Sequence, residues 1–391
     1  MFADIVILSL TQIIGWGTMF MAISVLGGPL GQTLGLTPAL VYLGPSVMLV
    51  AMAVMSPLMA PLYRSRGARF VMSAGTIATV PGFLVLAWCD GPLGYYTGWT
   101  ILGMAGAGVL TNSAHIYLAA KAGVRARQAI GAQMLAMALA PTIAWPATSL
   151  LSGWLGWRHT YLVFALVMLV VVLPLLRFAL EPDTAPATPA SKARLSGSRG
   201  DGRTRTIIVL MTLAIALNGF VTWGFQLVVI DIMRSYAVAD GIAIGMAAAI
   251  GVVQMSARLI DFIGGNRWDG FVTSLAAGIL MPVALLALGV GHGAEWSIVA
   301  FILFYGLSSG AMSVARATLP LVFFERQVYA SVLSRLGLPL NLAFAAAPPV
   351  FSRVLSDYGN ASALGLAVAC SLGTLTSLVL LARFRDPSRA G

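Results

Sequence analysis

The sequence predicts an all-α polytopic membrane protein, with twelve transmembrane helices arranged as two pseudo-symmetric six-helix bundles. Three observations lead there. The chain is 59% hydrophobic and only 9% charged, where a soluble domain carries roughly a quarter charged residues. Apolar runs of membrane-spanning length recur from end to end. One segment of opposite character, EPDTAPATPASKARLSGSRGDGRTR, divides those runs into six and six.

A spanning helix needs about 20 mostly apolar residues. Such runs lie at roughly 5–29, 39–62, 70–88, 93–119, 128–152 and 159–180. They resume at roughly 206–233, 241–263, 270–290, 295–320, 328–353 and 360–382. The expected organisation is an N-terminal bundle over 1–180, a cytoplasmic linker over 181–205 and a C-terminal bundle over 206–391. The linker is rich in Pro, Ser, Gly and charge and cannot bury a core. The opening MFADIVILSL lacks the basic stretch of a cleaved signal peptide and reads as the start of a retained first helix.

Charge gives the orientation. A net +10 would point to nucleic acid in a soluble protein, but here the basic residues gather in alternate short loops. Arg64, Arg66 and Arg69 lie between spans two and three; Lys121, Arg125 and Arg127 lie between four and five. The linker holds Lys192, Arg194, Arg199, Arg203 and Arg205. Arg267 follows span eight, Arg326 follows span ten, and Arg383, Arg385 and Arg389 close the chain. The other loops hold only Arg158, Arg234 and Arg353 near their edges. Positive charge marks the cytoplasmic side, so both termini are expected there, in a cytoplasmic (inner) membrane.

Several chemistries are absent from the pattern. Cys89 and Cys370 stand alone in separate halves without CxxC spacing, so neither a metal site nor a disulfide framework is expected. Lys121 and Lys192 do not sit in a Walker A pattern, no histidine precedes a glutamate, and no TVGYG filter exists. No cofactor is expected, and transport driven by a gradient remains. The halves also echo each other: Trp16-Gly17 in the first span matches Trp223-Gly224 in the seventh. Arg258, in GVVQMSARL, ends span eight much as Arg64 ends span two. Internal duplication is how many transporters are built.

This layout resembles the major facilitator superfamily. The family carries a signature between its second and third helices, Gly-x-Leu-Ala-Asp-Arg-x-Gly-Arg-Lys, and APLYRSRGARF at 60–70 is similar to it. Leu62, Gly67 and Arg69 match; Ala60 replaces the first glycine and Arg64 stands in place of the aspartate. LGWRHTYLVFAL at 155–166 resembles the Gly-Trp-Arg entry to the sixth helix, and RATLPLVFF at 316–324 is similar to the end of helix ten in a bacterial branch. The family's helix-five antiporter signature is reduced to MALAPTIAWP, with Pro141 kept. The resemblance implies a gating role for Arg64, Gly67, Arg69 and Arg258, and a central cavity lined by helices one, four, seven and ten.

Polar groups at membrane depth are costly and therefore mark candidate sites. Gln12 and Trp16 share a face of span one, and Asn112 and His115 share one of span four with Gly108. Asn218, Thr222 and Gln226 form a stripe at i, i+4 steps on span seven, and Tyr305 with Ser309 repeats the spacing on span ten. Each of these can alternatively be helix-to-helix glue. A lining of amides, hydroxyls and indole suits a neutral or singly charged organic solute. The expected activity is secondary active transport of a small organic solute, not enzymatic catalysis. A lipid or acyl transferase using His115, and a non-transporting receptor, are the competing readings. Expected partners are a small-molecule substrate, membrane lipid and a coupling proton or ion, without nucleic acid; a monomer is the expected state.

Protease added to inside-out vesicles is expected to cut first within 181–205, as its composition dictates. Protection in that orientation, with cleavage from the opposite face, reverses the topology.

Overall fold

The computed structural model describes residues 1–122, 125–181, 202–236, 238, 240–264, 269–324 and 326–385. Among them every regular element is a helix. The bilayer core offers backbone groups no water, so spanning segments must satisfy their own N–H and C=O groups. The chain divides into two compact units, Met1–Pro189 and Ala190–Gly391; most of the expected linker lies outside the described residues.

The first unit opens with α1 (Phe2–Trp16), a π-helical turn at Gly17–Met21 and α2 (Ile23–Leu34). It continues through α3 (Pro38–Trp88), α4 (Pro92–Val109), α5 (Thr111–Ala122), α6 (Ala126–Met137) and α7 (Ala140–Val167). Two further π-helical turns, Met168–Val172 and Leu175–Ala179, complete its last span. The second unit holds α8 (Gly202–Ser235), α9 (Asp240–Gly264), α10 (Gly270–Gly291), α11 (Glu295–Phe323) and α12 (Arg326–Ala382). Helix α8 starts at Gly202, so Arg203 and Arg205 are helical residues.

Among the described residues, nine helical segments are long and apolar enough to cross a membrane. The difference from twelve expected spans has a local cause. Two of the nine, Ala129–Ala179 and Pro339–Ala382, each contain a glycine with left-handed backbone, Gly156 (φ 75°) and Gly359 (φ 77°). Both glycines fall on expected boundaries between spans. The fourth expected span, 93–119, is present as α4 and α5, broken at Leu110. The fifth breaks between Met137 and Ala140, just ahead of Pro141, whose ring cannot sit inside a helix without removing a hydrogen bond.

Surface and core follow the bilayer. Phe178 is 84% exposed and Trp154 79%; in lipid such residues are solvated. Buried in the first unit are Tyr95, Trp99, Trp145 and Tyr161, with Phe83, Tyr161 and Phe164 packed ring on ring. The small-residue run GMAGAG draws α4 against α3: a Cβ on Gly103 would lie 2.4 Å from the Met48 carbonyl oxygen.

Gly103→Leu is therefore expected to destabilise the first unit by about 1–3 kcal/mol, the usual range for overpacking. Gly131, whose Cβ would meet nothing within 4 Å, is the control. Thermal unfolding in detergent should show a lowered midpoint for Gly103→Leu and little change for Gly131→Leu.

Candidate functional site

In the first unit, the polar groups of α1 turn toward the break between α4 and α5. Leu110 takes an extended conformation there, which frees the Val109 carbonyl from its helix. Gln12 Nε2 donates to that carbonyl at 2.8 Å, and Trp16 Nε1 donates to Thr111 Oγ1 at 2.8 Å. The structure thus brings Gln12 and Trp16 together with span four, Gln12 on an exposed backbone carbonyl and Trp16 on the Thr111 hydroxyl. Asn112, one residue past Thr111, is exposed, and His115 is half-buried on the same helix. His115 Nε2 makes no hydrogen bond among the described residues.

Sequence reasoning overlooked Gln133 on α6. It is fully buried, and neither amide atom has a hydrogen-bond partner among the described residues. A buried amide without partners costs about 1–3 kcal/mol. Only its placement inside an apolar run could have flagged it.

The signature loop behaves as its residue types require. Gly67 takes φ 79°, the left-handed region that glycine alone enters without strain. Arg69 Nη1 donates to the Leu180 carbonyl at 2.9 Å, capping the end of the sixth span. The Arg64 side chain, Arg267 and the Arg127 side chain lie outside the described residues. Close to this end, Lys121 Nζ lies 2.9 Å from Asp4 Oδ1 and 2.6 Å from Glu181 Oε2. Burial disfavours the ammonium, but the hydrogen bonds to Glu181 and Asp4 outweigh it and raise the Lys121 pKa above the ordinary lysine value. At the far end Arg158 donates to the Ala87 and Cys89 carbonyls at 2.9 and 3.0 Å and pairs with Asp90. Asp4 and Arg158 tie the first unit together; Arg158 belongs to the Gly-Trp-Arg motif, whereas Asp4 did not stand out in the sequence.

In the second unit, the stripe on α8 differs from its counterparts in how much of it is engaged. Asn218 is 3% exposed; its Oδ1 accepts from Thr222 Oγ1 at 3.5 Å, while its Nδ2 has no acceptor among the described residues. Gln226 is half-buried one turn further on. Tyr305 donates to the Thr222 carbonyl at 3.0 Å. Ser309 donates to the Tyr305 carbonyl at 2.7 Å and accepts from Gln254 Nε2 at 3.0 Å, joining α11 to α9. Arg258, expected at a gate, is half-buried on α9. Asp231 pairs with Arg234 at 3.2 Å, and Asp261 accepts from Thr273 at 2.6 Å.

Trp223, beside the stripe, stacks on Phe344 of α12 with ring centroids 5.5 Å apart and planes 13° apart. Gly219 makes this possible: a Cβ there would lie 1.9 Å from the Phe344 ring. Among the described residues no group of three or more His, Cys, Asp or Glu is gathered as a metal site.

Helical units with exposed apolar surfaces and segments long enough to cross a bilayer define a multi-pass membrane protein. The family profile described as Major Facilitator Superfamily matches residues 8–325, and the chain belongs to that superfamily. Two of the solved structures that share its fold are as follows. One is a bacterial homolog of the human lysosomal transporter Spinster, in an inward-facing and unoccupied conformation. It is 16% identical, with 97% of this chain and 94% of that one covered and a TM-score of 0.68. The other is a D-xylose–proton symporter, 15% identical, with 100% and 99% covered and a TM-score of 0.77. No curated protein matches the chain.

The ring-in-notch contact yields a paired prediction. Gly219→Ala should lower stability by about 1–3 kcal/mol through overpacking against Phe344. Adding Phe344→Leu should recover much of that loss, as coupled neighbours do. Thermal midpoints of the two single variants and the double variant measure the coupling.

Proposed function

We propose that this chain is a secondary active transporter that moves a small organic solute across the cytoplasmic membrane by alternating access between its two six-helix units. A gradient of a proton or another ion supplies the energy. Superfamily membership supports the class, and the loop arginines support cytoplasmic termini.

The observation that carries the reading is Asn218. An amide 3% exposed, with its Nδ2 lacking an acceptor among the described residues, sits near the middle of an apolar helix. Counting from Gly202, it lies about 24 Å along α8 at 1.5 Å per residue. Helix glue spends its hydrogen bonds on neighbouring helices, as Gln12 and Tyr305 do. Asn218 keeps donors in reserve, which suits a group that meets water in one state and solute in another. Thr222 and Gln226 extend the same face. On this reading Asn112 and His115 are the candidates from the first unit, while the donors of Gln12, Trp16, Tyr305 and Ser309 are spent within their own units. Arg64, Gly67, Arg69 and Arg258 serve the cytoplasmic gate.

Single cysteines at 218, 222 and 226, with Cys89 and Cys370 replaced by serine, test it. A membrane-impermeant thiol reagent should label at least Cys variants of Asn218 and Thr222 from either side of the membrane. Labelling from neither side makes the stripe structural and removes the site.

A further inference from the structure

The last span of the first unit carries an open trough on its outer face. Two π-helical turns, Met168–Val172 and Leu175–Ala179, flank Pro174 there. Proline has no N–H to give the preceding turn, and i→i+5 bonding adjusts the ladder around it. The trough holds about 420 Å³ and is lined by Val170, Val171, Pro174, Leu175, Phe178 and Ala179. The lining falls in two rows four residues apart, one through 170, 174 and 178 and the other through 171, 175 and 179. Such rows lie within about 30° of the helix axis, so the trough runs along the span.

The trough ends among arginines. Arg177 belongs to the second π turn and is exposed, with no ion pair among the described residues. Arg69 Nη1 donates to the Leu180 carbonyl at 2.9 Å, and the Leu180 N–H donates to the carbonyl of Leu175, a lining residue, at 3.1 Å. Arg66, on the same loop as Arg69, is exposed, with its guanidinium carbon 5.1 Å from the centre of the Phe70 ring. Helix α3, which carries that loop, packs against Leu175–Ala179. Glu181, the acid that follows the trough, is held by Lys121 at 2.6 Å.

An apolar trough by itself selects no occupant in a bilayer, because every lipid tail is alike to it. The charge at one end does select. Basic residues beside a membrane surface attract anionic lipid, and a guanidinium offers paired N–H donors that match phosphate oxygens. We propose that the trough holds an acyl chain of an anionic phospholipid whose phosphate lies on Arg177, with Arg66 and Arg69 beside it. The site stands apart from the transport reading and needs only that the chain spans a bilayer.

Phosphatidylglycerol and phosphatidylcholine with identical oleoyl chains probe the site in the purified full chain in uncharged detergent. A ligand that binds only the folded state raises the melting midpoint as its concentration passes its Kd. Phosphatidylglycerol is expected to give a saturable rise at lower concentration than phosphatidylcholine. Arg177→Gln should weaken phosphatidylglycerol about fivefold, the worth of one surface charge, and Arg177→Lys should restore most of that loss. Val171→Trp fills the trough and should weaken the lipid with Arg177 still in place. Phe178→Ala removes one wall and gives the same readout if the tryptophan variant does not fold. Arg383→Gln removes an exposed arginine of the second unit and should change nothing.

Equal apparent affinities for the two lipids overturn the proposal, since a neutral lipid or the detergent then fills the trough. So does an unchanged Kd in Arg177→Gln, or an equal loss in Arg383→Gln, because the headgroup then lies elsewhere. No effect from either trough variant removes the acyl chain and overturns it too. A second copy of the chain on this face would appear as a dimer lost in Val171→Trp without lipid preference, again against the proposal. The cysteine labelling of α8 reads the transport site and is indifferent to all of these outcomes.

Discussion

Hydrocarbon offers no hydrogen-bond partner, so each backbone group in this chain must find one inside the protein. Unbroken helix solves the problem along most of the sequence. Difficulty arises wherever a helix stops, because its last carbonyls have no internal donor. Three helix ends in the first unit are met by a side chain sent from elsewhere. Gln12 covers Val109, Arg69 covers Leu180, and Arg158 covers both Ala87 and Cys89. These four contacts tie the first span to the fourth, the third to the sixth, and the sixth back to the third. The tertiary structure of the unit therefore grows from the needs of its helix ends.

Burial cannot hold the helices together in lipid as it does in water, since the tails are as apolar as leucine. Close approach does it instead. Gly103 lets α4 touch the Met48 backbone, Gly310 lets α11 touch Gln254, and Gly219 accepts the Phe344 ring. Each is a contact that one methyl group would abolish. Such packing makes a unit stiff, and a stiff unit can move as a body. The superfamily's two-unit construction and the glycine notches are thus parts of one physical solution.

Much of this was legible beforehand. The all-helical class and the apolar spans follow from hydropathy, and glycine suits the positive φ found at position 67. Arg69 stood out through its place in the signature loop, although its bond to the Leu180 carbonyl did not. What escaped was set by tertiary contact. The glycines just ahead of Leu110, in GMAGAG, read as close packing rather than as a break, so Gln12 and Trp16 read as free polar groups on a face. Asp4 passes for an ordinary first-turn acid until Lys121 is folded against it. The Phe344–Trp223 stack joins residues 121 positions apart, and no local pattern encodes that. Gln133 has no hydrogen-bond partner among the described residues that a pattern could have predicted.

A buried polar group divides into two kinds according to whether its hydrogen bonds are already used. Gln12 Nε2, Trp16, Tyr305 and Ser309 donate to named acceptors within one unit, and each bond repays its desolvation. Asn218 Nδ2, His115 Nε2 and both amide atoms of Gln133 have no such acceptor or donor among the described residues. Left dry, each would carry a cost of about 1–3 kcal/mol, a large fraction of the stability of a folded domain. Selection for stability alone removes such a cost with a leucine or an alanine. Where the amide stays, water or a solute group is its natural partner. The sequence question, which polar residues are glue and which are site, thereby becomes one of valence left over after folding.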